Sequence, residues 1–491
     1  MEETKYDADV IVVGLGNAAL SAAISASENG AKVIMLEKAP EKEKGGNSRY
    51  THGSIRFAYN DINDIRKIVP DFTDEEAKNA DFGSYTEEDF YGDMGRLTDY
   101  RTDPELASVL VEESFETMEW LTSHRVRFTP IYGRQAFKVD GKFKFWGGMV
   151  LESIGGGDGL IDALLKEAQS LGVDVLFDAM ATELIHDDDS VHGVILKHNG
   201  KTKSIKAKSV ILATGGFHAN AEMRARYLGP GWDLARVRGS RFNTGEGIQM
   251  ALKIGAQPFG HWSGAHSVGG ELNAPNFIEG FQKLSYPFGI IVNADGKRFV
   301  DEGADFRNYT YAKYGRAILE QPGQFAWQVF DQKVTNLLRE EYKGRQVTKV
   351  TAKTLEELAE KMEGVNTEGF LETVKDYNAA VRNDVTFNPT IKDKKSTVGL
   401  AVPKTNWANT LSDGPFEAYA VTCGITFTYG GLKINTSGEV EDVLGKTIPG
   451  LYAAGELVGG LFYSNYPGGA GLMSGSVFGR KAGKHAAIYS S

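Results

Sequence analysis

Residues 9–38, DVIVVGLGNAALSAAISASENGAKVIMLEK, constrain the fold more than any other stretch of the chain. The apolar run at 10–13 does not alternate with polar residues, as expected of a parallel strand that is buried on both faces. Gly14 and Gly16 form a tight turn after it, and Ala19 stands at the third position of a G-x-G-x-x-G/A pattern. Small alanines then keep the following helix close to a sheet. The stretch therefore predicts a strand, turn, helix, strand unit of an α/β fold.

An acidic residue completes this pattern, because Glu37 follows the second strand about 20 residues after the glycine turn. A carboxylate at that place binds a ribose hydroxyl, and a pyrophosphate lies at the helix N-terminus, where free N–H groups favour an anion. The pattern favours a dinucleotide site over a purely structural glycine turn.

Two distant strands also end in glycine. KSVILATGGF leads into Thr214, Gly215 and Gly216, and IPGLYAAGE leads into Gly455 and Glu456, before a helix predicted from about Met473. We expect the three glycine-ended strands to meet on one long ligand, which suits FAD. Residues 257–420 have mixed loops and many aromatic side chains. The predicted fold is α/β, with a Rossmann-type FAD-binding domain (1–256 and 421–491) interrupted by an α+β capping domain (257–420).

Composition limits the other possibilities. A net charge of −11 argues against a nucleic-acid surface, and a single cysteine, Cys423, excludes an internal disulfide or a thiolate-bound metal cluster. No apolar run approaches the roughly 20 residues of a membrane helix, and the acidic first residues do not resemble a secretory signal. We expect a cytoplasmic protein without a membrane span or a metal site.

Several motifs together resemble the fumarate reductase and succinate dehydrogenase flavoprotein superfamily. They are the glycine turn, GGNS at 45–48, ATGGF at 213–217, TGEGIQMALKIGA, GKRFVDE and GLYAAGE. The resemblance implies an FAD enzyme that moves a hydride between the flavin and a carbon beside a carboxylate or ketone. The predicted FAD contacts are Gly14, Gly16, Asn17, Ala18, Ala19, Glu37, Lys38, Gly45, Gly46, Asn47, Ser48, Thr214, Gly215, Gly216, Gly455, Glu456, Gly469, Gly471 and Leu472.

Longer stretches, including GGNSRYTHGSIR and LFYSNYPGGAGLMSGSVFGR, are most similar to FAD-dependent tricarballylate dehydrogenases. That likeness implies oxidation of a tricarboxylate, tricarballylate to cis-aconitate, with electrons passed to a separate, membrane-associated acceptor protein. The NYPGG motif is also similar to 3-ketosteroid dehydrogenases, which gives a second hypothesis: a 3-ketosteroid or other α,β-dehydrogenase or reductase of the same superfamily. A flavin-binding regulatory protein without turnover is a third.

The sequence departs from fumarate reductases at three substrate or catalytic positions. Phe427 replaces a histidine, Tyr466 replaces an arginine, and Thr335 stands where an arginine follows FDDSV. Asn47 stands approximately where membrane succinate dehydrogenases carry the histidine that is linked to FAD. The departures predict noncovalent FAD and chemistry other than fumarate reduction.

Carboxylate substrates need cations, and the loop after GGNS carries Arg49, His52 and Arg56. Arginine binds carboxylates through two parallel hydrogen bonds, so we predict that these three residues bind substrate. The alternative is pairing with the flavin diphosphate or with neighbouring carboxylates.

Four residues complete the predicted site. Arg307 matches approximately a family arginine near the substrate and the proton path, Tyr466 lies beside the flavin by its motif, and His266 lies near the place of a substrate-binding histidine. These three are the predicted catalytic residues, and Tyr311 is a further substrate contact. The sequence assigns no general base.

Overall fold

The computed structural model describes residues 6–188, 190–279, 282–344 and 347–491. Its helices, in chain order, are α1 Asn17–Glu28, α2 Ile62–Ile68, α3 Asp74–Asn79, α4 Glu87–Leu97, α5 Pro104–Glu112, α6 Ser114–Ser123, α7 Tyr132–Gln135, α8 Gly156–Ser170, α9 Ala221–Met223, α10 Glu246–Lys253, α11 Tyr311–Leu319, α12 Leu355–Lys361, α13 Thr367–Ala380 and α14 Ala470–Tyr489.

The strands are β1 Ala8–Val13, β2 Val33–Leu36, β3 Ser54–Ile55, β4 Ala80–Asp81, β5 Phe128–Pro130, β6 Ala136–Val139, β7 Lys142–Phe145, β8 Leu151–Ser153, β9 Asp174–Leu176, β10 Ala179–His186, β11 Val191–His198, β12 Lys201–Leu212, β13 Arg236–Val237, β14 Pro258–Glu271, β15 Ile290–Val292, β16 Phe325–Phe330, β17 Lys349–Ala352, β18 Phe416–Leu432, β19 Glu439–Glu441 and β20 Thr447–Ala453.

The central sheet has the order β10-β11-β12-β1-β2-β9, and β20 pairs with β12. Strands β12, β1, β2 and β20 run parallel, with Val13 opposite both Leu36 and Leu212, and Leu212 opposite Ala453. Their carboxyl ends therefore lie side by side at one edge. This parallel arrangement confirms the predicted α/β fold. Strands from both ends of the sequence complete the sheet.

A second, mostly antiparallel sheet is built around the long strand β18, which pairs with β13, β14, β16 and β17. Helices α12 and α13 pack against it through a core that includes Leu358, Phe370 and Tyr377. The predicted boundary between residues 420 and 421 falls inside β18. Strand β18 stays in the second sheet along its whole length, and Phe427 and Thr428, which pair with β14, reach the cavity described below.

The last helix, α14, lies directly against α1. A Cβ atom at Gly479 would lie 2.5 Å from the Ala18 carbonyl oxygen, and one at Gly483 would lie 2.2 Å from that of Ala22. The two helix backbones approach this closely because glycine presents no side chain there. Helix α14 begins at Ala470, three residues before the predicted start at Met473. In the described part of the chain, no helix is both long and apolar enough to cross a membrane.

We expect Gly483→Ala to destabilise the protein by about 1–3 kcal/mol, because the added methyl group must push α14 away from α1. The free energy of unfolding in urea measures this effect. Gly92→Ala is the matched control. Gly92 lies in the middle of α4 and faces solvent, and no atom lies within 4 Å of its added Cβ. Better helix propensity should stabilise this variant by roughly 0.5–1 kcal/mol. Equal effects of the two changes would contradict the packing argument.

Candidate active site

A cavity begins at the carboxyl edge of the central sheet and extends to the second sheet. Its walls include Gly14 and Glu37 at one end, and His266, Arg307 and Tyr311 at the other. Ligands of α/β proteins bind at this edge of a parallel sheet. The cavity therefore has two ends. One lies at the glycine turn, where a nucleotide would bind, and the other is lined by arginines and aromatic rings.

The glycine turn forms the floor of the nucleotide end. Gly14 has φ +118, and a Cβ there would lie 2.3 Å from the Ala213 carbonyl oxygen, so glycine is required. The Asn17 N–H donates to Ser48 Oγ at 3.0 Å. The Asn17 side chain donates to the Leu472 carbonyl at 2.8 Å. Asn17 therefore connects the start of α1 to the GGNS loop and to α14.

Glu37 and Lys38 follow β2. Glu37 is 5% exposed and accepts the Ala39 N–H at 2.7 Å. Burial raises the pKa of Glu37 to about 7. Lys38 Nζ forms a 2.8 Å ion pair with Glu246, which holds it beside the cavity. The buried Glu37 carboxyl fits the ribose role that its sequence position predicted.

The third glycine-ended strand brings Glu456 to the same cavity. Its carboxylate accepts the Thr428 N–H at 3.1 Å and the Asn243 side-chain amide at 3.3 Å, and it lies 3.3 Å from His218 Nδ1. These contacts fix the turn after β20. Thr214 Oγ1 also lines the cavity, is buried and has no hydrogen-bond partner among the described residues.

Most of the predicted FAD contacts line this cavity. Outside it lie Ala19, which is fully buried, and Gly45, where a Cβ would contact the Ile161 side chain at 3.1 Å. Gly216 is also outside the cavity, and a Cβ there would lie 2.2 Å from Thr428 Oγ1. The glycine floor, the N-terminus of α1 and the unpartnered Thr214 hydroxyl fit an FAD molecule. The other predicted contacts lie on the cavity wall: Gly14, Gly16, Asn17, Ala18, Glu37, Lys38, Gly46, Asn47, Ser48, Thr214, Gly215, Gly455, Glu456, Gly469, Gly471 and Leu472.

Asn47 also lies on the wall and is held on both sides. Its amide donates to the Thr426 carbonyl at 2.7 Å, and its oxygen accepts the Ser240 N–H at 3.3 Å. An amide is not a nucleophile, so noncovalent FAD binding stays the prediction at this position.

Four aromatic rings form a wall at the far end of the cavity. His266 stacks on Phe427 with ring centroids 5.0 Å apart and contacts the edges of Tyr311 and Tyr466, each at 4.9 Å. The two tyrosine hydroxyls lie 2.7 Å apart. Burial lowers the pKa of His266 well below its ordinary value and raises the pKa of both tyrosines. The structure thus brings three of the predicted aromatic site residues together as neutral groups.

Two members of the charged loop lie outside the cavity. Arg49 forms a 2.7 Å ion pair with Asp158 on α8. Arg56 is fully buried behind the glycine loop, where its Nε donates to the Gly468 carbonyl at 2.7 Å and its Nη1 to the Tyr309 hydroxyl at 3.3 Å. Both arginines therefore bind neighbouring protein groups, which was the alternative to the predicted substrate contact.

His52 does reach the cavity. Its Nδ1 lies 3.2 Å from Glu279, and its Nε2 lies 2.8 Å from the Gln282 amide. Burial, together with the charges of Arg134, Arg238 and Arg307, lowers the pKa of His52 to about 3. His52 is therefore a neutral hydrogen-bonding group near neutral pH.

The cations at this end are Arg134, Arg238 and Arg307. Arg238 is 6% exposed, and its Nη2 donates to the Tyr50 carbonyl at 2.9 Å. Burial lowers the pKa of Arg238, and burial beside Arg307 lowers the pKa of Arg134 to about 10. The Nε atoms of Arg238 and Arg307 are buried without a hydrogen-bond partner among the described residues.

Sequence reasoning predicted Arg307 but missed Arg134 and Arg238. Arg238 stands six residues before the TGEG motif, in RVRGSRFNTGEG, and Arg134 stands in an unremarkable YGRQ stretch. The proximity of Arg238 to a recognised glycine motif was the available signal. Arg134 had none, because its place in the cavity depends on how α7 packs.

A second, open cavity adjoins this end. The two cavities share Thr51, His52 and Arg134, and the outer one is also lined by Glu152 and Glu279. Arg134 pairs with Glu152 at this junction. The outer cavity therefore adjoins the arginine end at the Arg134–Glu152 ion pair and at the contact between neutral His52 and Glu279.

Comparisons with known proteins agree with this geometry. Residues 9–472 match the FAD binding domain family. A probable fumarate reductase of Shewanella frigidimarina is 32% identical over 484 residues, which are 97% of this chain and 74% of that protein. The open conformation of a flavocytochrome c3 fumarate reductase aligns with a TM-score of 0.72 and 29% identity, over 100% of this chain and 79% of that one.

A 3-ketosteroid-Δ4-(5α)-dehydrogenase from Rhodococcus jostii aligns with a TM-score of 0.73 and 25% identity, over 99% of this chain and 98% of that one. The fold, the glycine floor and these relatives define an FAD-dependent oxidoreductase that acts on carbon–carbon bonds. The chain belongs to the FAD binding domain family within the fumarate reductase and succinate dehydrogenase flavoprotein superfamily.

The raised pKa of Glu37 predicts how stability depends on pH in the protein without FAD. The unfolded chain releases this proton near pH 4.5, whereas the folded protein keeps it until about pH 7. Stability therefore falls as the pH rises through this window, by on the order of 3 kcal/mol from this group alone.

Glu37→Gln removes that contribution, so the difference in unfolding free energy between pH 5 and pH 7.5 should shrink in this variant. Urea unfolding of both apoproteins at the two pH values measures the change. An unchanged difference would show that Glu37 ionises normally in the fold.

Proposed function

We propose that the protein is an FAD-dependent dehydrogenase of a small tricarboxylate, with tricarballylate as the acid and cis-aconitate as the product. The observation that carries the proposal is the pair of buried arginines, Arg238 and Arg307. Each has an unpartnered Nε atom, and both line the cavity beside Arg134. A buried guanidinium with a free donor is costly unless a ligand completes its hydrogen bonds, and a carboxylate matches its planar shape.

Three guanidinium groups at one end of the cavity correspond in number to the three carboxylates of this substrate. Arg134 and Arg307 have acidic partners, Glu152 and Glu341, that an incoming carboxylate would replace. Arg238 has no ion pair of 4 Å or less with a described carboxylate, so it would hold its carboxylate without displacing an acidic partner. These cations support a polyanionic substrate despite the chain's net charge of −11.

The residues around the arginines support dehydrogenation. FAD, when bound, accepts a hydride from the carbon next to the one that loses a proton. Arginines beside the substrate carboxylate stabilise the negative charge that develops at the α-carbon. The wall of Tyr311, Tyr466, His266 and Phe427 limits the access of water and offers tyrosine hydroxyls as donors. His52 adds a neutral hydrogen-bonding group next to the cations.

We also propose that a separate acceptor protein removes the electrons. One cysteine cannot hold an internal iron–sulfur cluster, and the chain shows one complete dinucleotide fingerprint. A curated relative from Shewanella frigidimarina is a fumarate reductase named for its cytochrome, which illustrates an electron carrier working with this fold.

Dehydrogenation of a ketosteroid is the second candidate. The hydrogen-bonded pair of Tyr311 and Tyr466 favours it, because two buried hydroxyls 2.7 Å apart form a suitable site for a ketone oxygen. The arginines argue against it, since an apolar steroid would leave Arg238 and Arg307 buried and unpaired.

Anaerobic mixing of the oxidised protein with candidate substrates tests the proposal, because substrate oxidation bleaches the flavin absorbance. We expect bleaching by tricarballylate and none by 3-ketosteroids. In Arg238→Leu, the loss of a charge-assisted contact worth about 1.5–3 kcal/mol should lower the second-order rate of bleaching about tenfold to a hundredfold.

Arg241→Leu is the matched control for this variant. Arg241 lies three residues further along, is exposed and pairs with Glu43 at 3.3 Å, so its loss should leave bleaching unchanged. The bound flavin content of both variants should match that of the wild type. Bleaching by a steroid alone, or equal rates in the two variants, would refute the tricarboxylate assignment.

A further inference from the structure

Loss of a proton from the substrate requires an acceptor in the cavity. Among the described residues that line it, the carboxylates are Glu37, Glu246, Glu341 and Glu456. Glu37 lies at the nucleotide end, Glu246 pairs with Lys38, and Glu456 accepts hydrogen bonds from Thr428 and Asn243. Glu341 is the carboxylate of this set that lies at the arginine end.

Glu341 is fixed in place by its own backbone and its neighbour. Lys283, which is 2% exposed, donates from Nζ to the Glu341 carbonyl at 2.6 Å. The adjacent Tyr342 hydroxyl donates to Gln328 at 2.6 Å and accepts the Ser285 N–H at 2.8 Å. The short helical turn Glu340–Tyr342 is thus anchored to the second sheet, and the Glu341 side chain lines the cavity.

The carboxylate itself is held loosely. Its side chain is 14% exposed, and its nearest cation, Arg307 Nη1, lies 3.8 Å away. Arg134 and Arg339 also lie within electrostatic range. A substrate carboxylate that binds Arg307 would take over this cation and leave Glu341 next to the bound substrate.

The other polar groups at this end are poor proton acceptors. Arginine stays protonated, and burial lowers the pKa of His52 and His266, so both imidazoles are weak bases. Burial raises the pKa of Tyr311 and Tyr466, so both phenols keep their protons. Glu279 lies in the outer cavity, behind its contact with His52.

We propose that Glu341 is the general base of the reaction, a role that rests on the proposed dehydrogenase function. The Cα–H bond of the substrate breaks, and its proton passes to a carboxylate oxygen of Glu341. The electron pair of that bond forms the new C=C bond, while the β-carbon loses a hydride, for which FAD is the two-electron acceptor. In the reverse direction the protonated Glu341 returns the proton to the α-carbon.

Glu341→Gln tests this role, because glutamine keeps the shape of the side chain and cannot accept the proton. The rate of anaerobic flavin bleaching by saturating tricarballylate should fall by roughly 10²- to 10⁴-fold. The Kd for tricarballylate should stay the same or decrease, since Arg307 loses a competing carboxylate. Glu340→Gln is the matched control, because Glu340 is the preceding residue, is 82% exposed and pairs with Lys343. It should bleach like the wild type.

Chemical rescue separates a base from a structural residue. In Glu341→Ala, added formate should restore part of the bleaching rate, because a small carboxylate can enter the space and accept the proton. A Glu341→Gln variant as fast as the wild type would overturn the proposal, as would a slow Glu341→Ala variant with normal flavin content that formate does not rescue. A wild-type protein that no tricarboxylate bleaches would overturn the proposed function, and this role of Glu341 with it.

Discussion

The parallel register at the carboxyl edge of the central sheet is the constraint on which the rest of the structure depends. Val13, Leu36, Leu212 and Ala453 lie opposite one another, so the turn after each of their strands reaches the same place. The glycine floor, Glu37, Thr214 and Glu456 are brought together by this pairing. The last strand and α14 come from the end of the chain, and the α1–α14 contact requires glycine at several positions.

The arginine end depends on a different constraint, the burial of charge. Arg134 follows β5, Arg238 follows β13, and Arg307 precedes α11, so three separate parts of the chain supply the cations. Their charged forms lose solvation in the cavity wall, and this burial lowers the pKa of Arg134 and Arg238. Arg134 and Arg307 offset this cost with the acidic partners Glu152 and Glu341, whereas Arg238 has no ion pair of 4 Å or less with a described carboxylate.

The aromatic wall gives the same cavity a second property. The motif resemblance sets Phe427 and Tyr466 at the expected positions of a histidine and an arginine, and in the structure these rings pack with His266 and Tyr311. The relatives with fumarate and ketosteroid activity both share the scaffold, which agrees with a cavity whose walls, rather than its fold, determine the substrate.

The sequence by itself determined the sheet, the glycine turns and the FAD cradle. Their signals are local: a buried strand, a fixed glycine spacing and a carboxylate at a set distance impose one geometry wherever they occur. The charged loop shows what such local signals do not predict, namely the direction of each side chain. Arg49, His52 and Arg56 are neighbours in sequence, yet Arg49 faces α8, His52 reaches the cavity and Arg56 lies behind the glycine loop. Arg134, Arg238 and Glu341 meet at the cavity although about a hundred residues separate each from the next. Only tertiary packing decided these positions, because the direction of a loop side chain depends on distant segments that give it space, solvation and a partner of opposite charge.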